Sequence, residues 1–143
     1  MDLEELKVYQ LSMDMAEKIW SQITKWDSFS KDTIGKQLIR AADSVAANLS
    51  EGFGRYHYKE AKQFGYYSRG SLYETKTFLR KAFNRSLLIK EDFDSFSDEI
   101  KIIGIKLNNY INSIGKSNLN SVVKEDSPPY ENSHIHLIDF DDL

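Results

Sequence analysis

Residues Phe93 to Ile114 read FDSFSDEIKIIGIKLNNYINSI, and Phe93, Phe96, Ile100, Ile103, Leu107, Tyr110 and Ile114 follow one another at alternating steps of three and four. That is the period of one face of an α-helix, and it excludes a strand, whose faces alternate at every second residue. Glu91, Asp92 and Asp94 stand where they favour the positive N-terminal end of such a helix, and Gly115 supplies a stop.

The same steps recur upstream. Leu6, Tyr9, Met13, Ala16, Trp20 and Ile23 predict a first helix over about residues 2–26. The cluster Asp27-Ser28-Phe29-Ser30 offers turn and capping oxygens, after which Ile34, Leu38, Ala41 or Ala42, Val45 and Leu49 predict a second helix from about Lys31 to Glu51. Gly52 and Gly54 are expected to close it through the left-handed conformation that glycine tolerates. A third helix begins near Tyr58, with Ala61, Phe64, Ser68, Ser71 or Leu72, Thr75, Leu79 and Ala82 as its inner face and with Gly65 and Gly70 weakening it in isolation. Four helices with short connections predict an all-α fold, an antiparallel four-helix bundle over residues 1–116. Val8, Leu11, Ile19, Phe78, Phe83 and Ile105 lie off these seams and predict an interface between copies of the chain.

Composition narrows the function. A chain of 143 residues is one domain's worth, and with no Cys it excludes disulfide scaffolds, thiolate chemistry and Cys-ligated zinc. The start, MDLEELK, has no apolar core of a leader, and no stretch approaches the about 18 apolar residues of a membrane span, so a soluble cytoplasmic protein with no membrane partner is expected. The net charge of -3 hides a division. Residues 117–143 hold one base (Lys124) against six acids, whereas residues 36–90 hold eleven bases against Asp43, Glu51, Glu60 and Glu74, a net of +7. The period vanishes after Lys116, and Ser, Asn and Pro128-Pro129 predict a flexible acidic tail. Its last stretch, His136 to Leu143, mixes Leu137, Ile138, Phe140 and Leu143 with three Asp, the composition of a docking peptide or of a frayed end. The tail is expected to compete electrostatically with any anion that the basic segment binds.

Catalytic patterns are missing. His57, His134 and His136 have no second ligand at the spacing of a helical metal site, and no phosphate-cradling glycine loop follows a strand. Glu51, Arg55 and His57 form the one cluster suited to proton transfer, and an ion pair at a helix end explains it as well. No enzyme, cofactor or metal is expected. The informative pattern is on the third helix, where Lys59, Lys62, Tyr66, Arg69, Tyr73, Lys76 and Arg80 repeat at three-four steps, five cations and two tyrosines with no acid. Read as a stripe roughly opposite the seam, it is a face where cations neutralise phosphates and rings stack on unpaired bases, as in binding of RNA or single-stranded DNA. A merely solvated face, or tyrosines packed between subunits, is the alternative.

The run QLIRAADSVAANLSEGFGR (Gln37 to Arg55), followed one helix later by GSLYE (Gly70 to Glu74), resembles the signature of the 23S rRNA intervening sequence proteins, Q-ΦRRA-xSΦxxNΦxEGxGR and then GSxxE, with Φ apolar. The likeness spans residue 3 to about 114, with departures at Ile39, Asp43 and Ala46. It implies a bacterial, non-enzymatic four-helix protein that assembles as a homopentameric barrel and binds nucleic acid. Members are encoded in insertions within large-subunit rRNA genes, and similar proteins assist the reverse transcriptase of diversity-generating retroelements, so a protein partner of that kind is also implied. Asn48, Glu51, Gly52 and Arg55 match the first block and Gly70, Ser71 and Glu74 the second. Most of these are expected to be structural: Gly70 and Ser71 allowing close helix approach, Asn48 and Glu51 tying the second helix to the third. Two functions remain open: an oligomeric nucleic-acid-binding module, with Arg55 joining the stripe, or an oligomeric scaffold docking a protein through helix faces or the acidic tail.

Overall fold

The computed structural model describes residues 1–116. Four helices dominate: α1 (Lys7–Ile23), α2 (Lys36–Phe53), α3 (Tyr58–Asn84) and α4 (Lys90–Ser113), with a 3-10 turn at Leu3–Glu5. Helical backbone already begins at Ser28–Ser30 and runs through a π-helical turn, Lys31–Gly35, into α2. The Asp27 carboxylate caps that start by accepting the Ser30 N–H at 3.0 Å. A Cβ on Gly35 would sit 3.0 Å from Ile23 and 3.1 Å from the Ser30 carbonyl, so the wide turn is threaded past the end of α1.

Register shows the topology. Gln22 reaches Asp92 and Lys18 reaches Glu99 between α1 and α4, the Ser68 hydroxyl donates to the Val45 carbonyl between α2 and α3, and Arg80 covers Phe93 while Arg69 faces Asn108 between α3 and α4. In each pair the number rises on one helix as it falls on the other, Gly52 of α2 lying against Ala61 and Phe64 of α3 where Val45 meets Ser68, so these neighbours are antiparallel. The α2–α3 contact is the most extensive, and α1 closes the bundle against α2 and α4.

The core holds most of the expected inner faces of α2 and α3, from Ile34 to Leu49 and from Ala61 to Ala82, but Phe64 is only half-buried and Gly65, whose bare backbone meets Ile111, takes its place. On α1 the expected seam is rotated. Val8, Ser12, Met15, Ala16, Ile19 and Ile23 are buried, whereas Met13 and Trp20 are exposed. Two overlapping apolar stripes run along this helix, and contact with α2 and α4 selects the one that also carries Ser12, whose burial is tolerated because its hydroxyl donates to the Val8 carbonyl at 2.7 Å. The set read as an interface is corrected with it. Val8 and Ile19 are core, Leu11 and Phe78 pack on the core, Phe83 stacks on Phe93 at 4.7 Å, and Ile105 alone of the six is exposed.

Helix ends correct a second expectation. Gly54 closes α2 at φ -81°, in the right-handed region. Gly52 is needed for proximity instead, since a Cβ there would lie 2.8 Å from that of Phe64 and 3.0 Å from the Ala61 carbonyl. Gly65 lets α3 approach Ile111 of α4 in the same way. Left-handed backbone occurs at Gly115 and at Ser86, where Leu87 N–H bonds to the Ala82 carbonyl and Ser86 N–H to that of Phe83, closing α3.

Candidate nucleic-acid interface

Each residue turns a helix by about 100°. The buried line of α3 is Ala61, Gly65, Ser68, Leu72, Thr75, Leu79 and Ala82. The basic-aromatic stripe stands one residue further on, so it is a flank rather than the opposite face, and it turns toward α4. The outermost ridge is Gln63, Tyr67, Gly70, Glu74, Thr77 and Lys81, all exposed. Ala61, Ser68, Leu72, Thr75, Leu79 and Ala82 were already on the expected seam, so the numbering itself put the stripe about 100° from it, and the expectation of an opposite face is corrected.

That angle divides the stripe. Lys62, expected to be solvated, is buried at 6% exposure. Tyr66 and Tyr73 pack against the core, and burial raises the Tyr73 hydroxyl above its usual range despite the nearby Arg69 charge. Arg69 lies 5.0 Å over the Tyr66 ring, donates a long hydrogen bond of 3.5 Å to the side-chain Oδ1 of Asn108, and burial lowers its affinity for its proton. Lys59 and Arg80 are exposed and Lys76 is half-buried. Arg55 at the end of α2 forms an ion pair with Glu51 and lies 4.9 Å over Phe64, so part of its charge is already matched.

Toward the C-terminal end of α3 the flank opens into a cleft of about 480 Å³, lined by Lys76, Arg80 and Lys81 of α3 and by Phe93 and Ser97 of α4, with Asn84 at its end. Among the described residues no carboxylate lines it. Arg80 rests 4.5 Å above Phe93, an arrangement that holds a guanidinium in place without neutralising it and stabilises by about 0.5–1 kcal/mol where exposed. The aromatic base and cationic rim suit an anion with an apolar or planar part.

The signature residues take other roles than those expected. Asn48 donates to the Ser44 carbonyl of its own helix at 2.9 Å, and Glu51 pairs with Arg55, so neither ties α2 to α3. Ser68 makes that tie from outside both signature blocks, with its buried hydroxyl 2.7 Å from the Val45 carbonyl. Gly70 faces open space, with nothing within 4 Å of a Cβ placed there, so it permits no close approach within the protomer. Ser71 is half-buried, and its carbonyl accepts the Thr75 hydroxyl. Glu74 meets Gln37, Arg40 and Ser44 around a polar hollow of about 150 Å³, which brings the two blocks together. Antiparallel register between the second and third helices was the signal that could have found this pairing.

A groove between α1 and α2 has the reverse character. Met13, Ala16, Ala46 and Ala47 line it with Glu17 and Asp43. Burial first, and the Glu17 charge second, raise the Asp43 carboxyl above the usual range. Among the described residues no three His, Cys, Asp or Glu side chains converge so as to hold a metal ion, and no helix is long and apolar enough to cross a membrane.

A model of the 23S rRNA-intervening sequence protein family matches residues 4–109. The chain belongs to this family. The match takes in all of α1, α2 and α3 and all but the last turn of α4, so the cleft and the hollow between the signature blocks both lie within the family's domain. No curated protein matches the chain. The acidic segment 117–143 lies beyond the match and outside the described residues, and with it the expectations of a flexible tail and a docking peptide.

Proposed function

We propose that the protein is a non-catalytic nucleic-acid-binding module that works as an oligomer and holds RNA or single-stranded DNA along the α3–α4 flank. The observation that carries this reading is the cleft where Lys76, Arg80 and Lys81 meet an aromatic base without a carboxylate. Like charges set side by side on a helix repel, and a phosphate chain reverses that cost while releasing its counterions. Lys59 and Arg69 extend the same line toward the start of α3. Family membership supports the reading, with five subunits favoured and an accessory role to an rRNA-gene insertion or to a reverse transcriptase as its setting. Gly70 supports assembly: a glycine in an exposed helix interior costs about 1 kcal/mol against Ala, and a backbone approached closely by another copy would justify it.

Titration of the full chain with labelled RNA and single-stranded DNA at two salt concentrations tests the proposal. Affinity should fall steeply with salt for at least one of the two. Absence of binding to both at low salt overturns it.

The second reading is an interaction scaffold, and the α1–α2 groove favours it. Glu17 and Asp43 there share a groove with Met13 and small apolar residues, the character of a socket for a basic, apolar protein segment. Cross-linking to a protein partner that Glu17→Gln with Asp43→Asn abolishes, in a protein that binds no nucleic acid, would select it.

A further inference from the structure

We propose that the cleft between α3 and α4 is the receptor for the acidic, apolar segment His136–Leu143 of the same chain. The docking stands on its own, and its consequence, that the segment competes with nucleic acid for Arg80 and Lys81, rests on the function proposed above.

Complementarity carries the proposal. The cleft offers Lys76, Arg80 and Lys81 around Phe93 and no carboxylate, at about 480 Å³, within the range of pockets that bury compact ligands. Asp139, Asp141 and Asp142 alternate with Leu137, Ile138, Phe140 and Leu143 in the segment, so three acids meet three bases while apolar side chains meet the aromatic base. Within the bundle acids are matched by bases on their own helix, as in the Glu51–Arg55 and Lys90–Asp94 pairs.

Reach permits it. Helix α4 ends beside the start of α3, where a Cβ placed on Gly115 would lie 3.2 Å from the Tyr58 ring. From Tyr58 to the level of Arg80 is about 30 Å along the axis of α3. Residues 117–135, about 19 in all, can extend to about 60 Å, so the segment arrives with length to spare. A tether of this length sets an effective concentration in the mM range, so even a weak contact is substantially occupied.

Without native cysteine, paired spin labels test the docking in the full chain. Ser133→Cys reports the segment and Arg85→Cys, exposed beside the cleft, reports the bundle; doubly labelled chains are diluted in unlabelled ones so that only distances within one chain are read. A short, narrow distance distribution is expected. It should broaden on Phe140→Ser, which leaves the bundle untouched, and on Arg80→Glu with Lys81→Glu, and narrow again when Asp141→Lys and Asp142→Lys join that reversal. A broad distribution in the parent chain overturns the proposal, as does a narrow one that survives both disruptions. Short distances that vanish on dilution mean that a second copy supplies the segment, which overturns docking within the chain. Docking confirmed in a protein that binds neither RNA nor single-stranded DNA leaves this inference standing and removes the functional reading alone.

Discussion

The α3–α4 flank and the α1–α2 groove are cut from the same helical period and differ in what stands beside their charges. On the flank, guanidinium groups lie over rings, Arg69 on Tyr66 and Arg80 on Phe93, and the ring face compensates part of the lost hydration. In the groove Asp43 has no such partner; it faces Glu17 instead, and its proton is held more tightly. One face of the bundle therefore keeps exposed positive charge on a stable aromatic support, while another keeps negative charge at a cost. That difference favours the flank as the site for an anionic chain, and directs attention in the groove to a cation that has yet to be brought there.

Aromatic residues give the largest expected effect. Tyr73 packs on the core whereas Trp20, on the solvent side of α1, is 57% exposed. Tyr73→Ala should cost about 2–4 kcal/mol of unfolding free energy by opening a cavity, and Trp20→Ala about 0.5 kcal/mol or less, both read by denaturant titration. A small loss at Tyr73 would return its ring to the solvent face and to base stacking.

Charge removal comes next. Lys76→Gln with Arg80→Gln should flatten the log-log salt slope of RNA or single-stranded DNA binding by about 1.4 and lower affinity about 25-fold at 0.1 M salt, at about 0.7 per phosphate contact. Glu17→Gln with Asp43→Asn should leave affinity equal or tighter. A loss in the second variant and none in the first would exchange the roles of the two faces.

Gly70, on the ridge between the flank and α2, tests whether another copy covers that edge. Gly70→Ala should stabilise the protomer by up to about 1 kcal/mol, because nothing obstructs the new Cβ, and should weaken assembly measured by light scattering. Stabilisation with assembly unchanged takes the ridge out of the interface.

Much of this was legible in the sequence and the remainder was not, for reasons that particular residues show. The inner face of α2 was read correctly because it carries one apolar stripe, so period alone fixes the buried side; on α3 Phe64 was placed inward, whereas it is half-buried and Gly65 lies in the buried line. Helix α1 carries two, and only contact with α2 and α4 chooses Val8, Met15 and Ile19 over Met13 and Trp20. The basic stripe was visible as a pattern, and its place one residue after the seam already put it beside that seam, about 100° round the helix, rather than opposite it. Reading it as opposite made Lys62 appear solvated when it is buried. The hollow that joins Gln37, Arg40 and Ser44 to Glu74 depends on register between helices, which composition within either one does not encode.

Asp43 carries the smallest effect, and its sign separates a lone protomer's groove from a partnered one. Its folded carboxyl holds a proton above the usual range, through burial first and the Glu17 charge second. The native state thus binds more protons than the unfolded chain between the unfolded and the folded pKa, and stability falls as pH rises through that window, with the full penalty present at neutral pH. Asp43→Asn should therefore stabilise the chain at pH 7 and make no difference at a pH well below the ordinary aspartate pKa of about 3.9, where both states are protonated. Glu17→Gln should capture the smaller part of the gain. Urea unfolding at the two pH values reads the result. If Asp43→Asn instead destabilises the assembled protein at neutral pH, a cation from a neighbouring copy or partner pairs with that carboxylate, its folded pKa lies below the unfolded value, and the groove is an occupied socket rather than a tolerated strain.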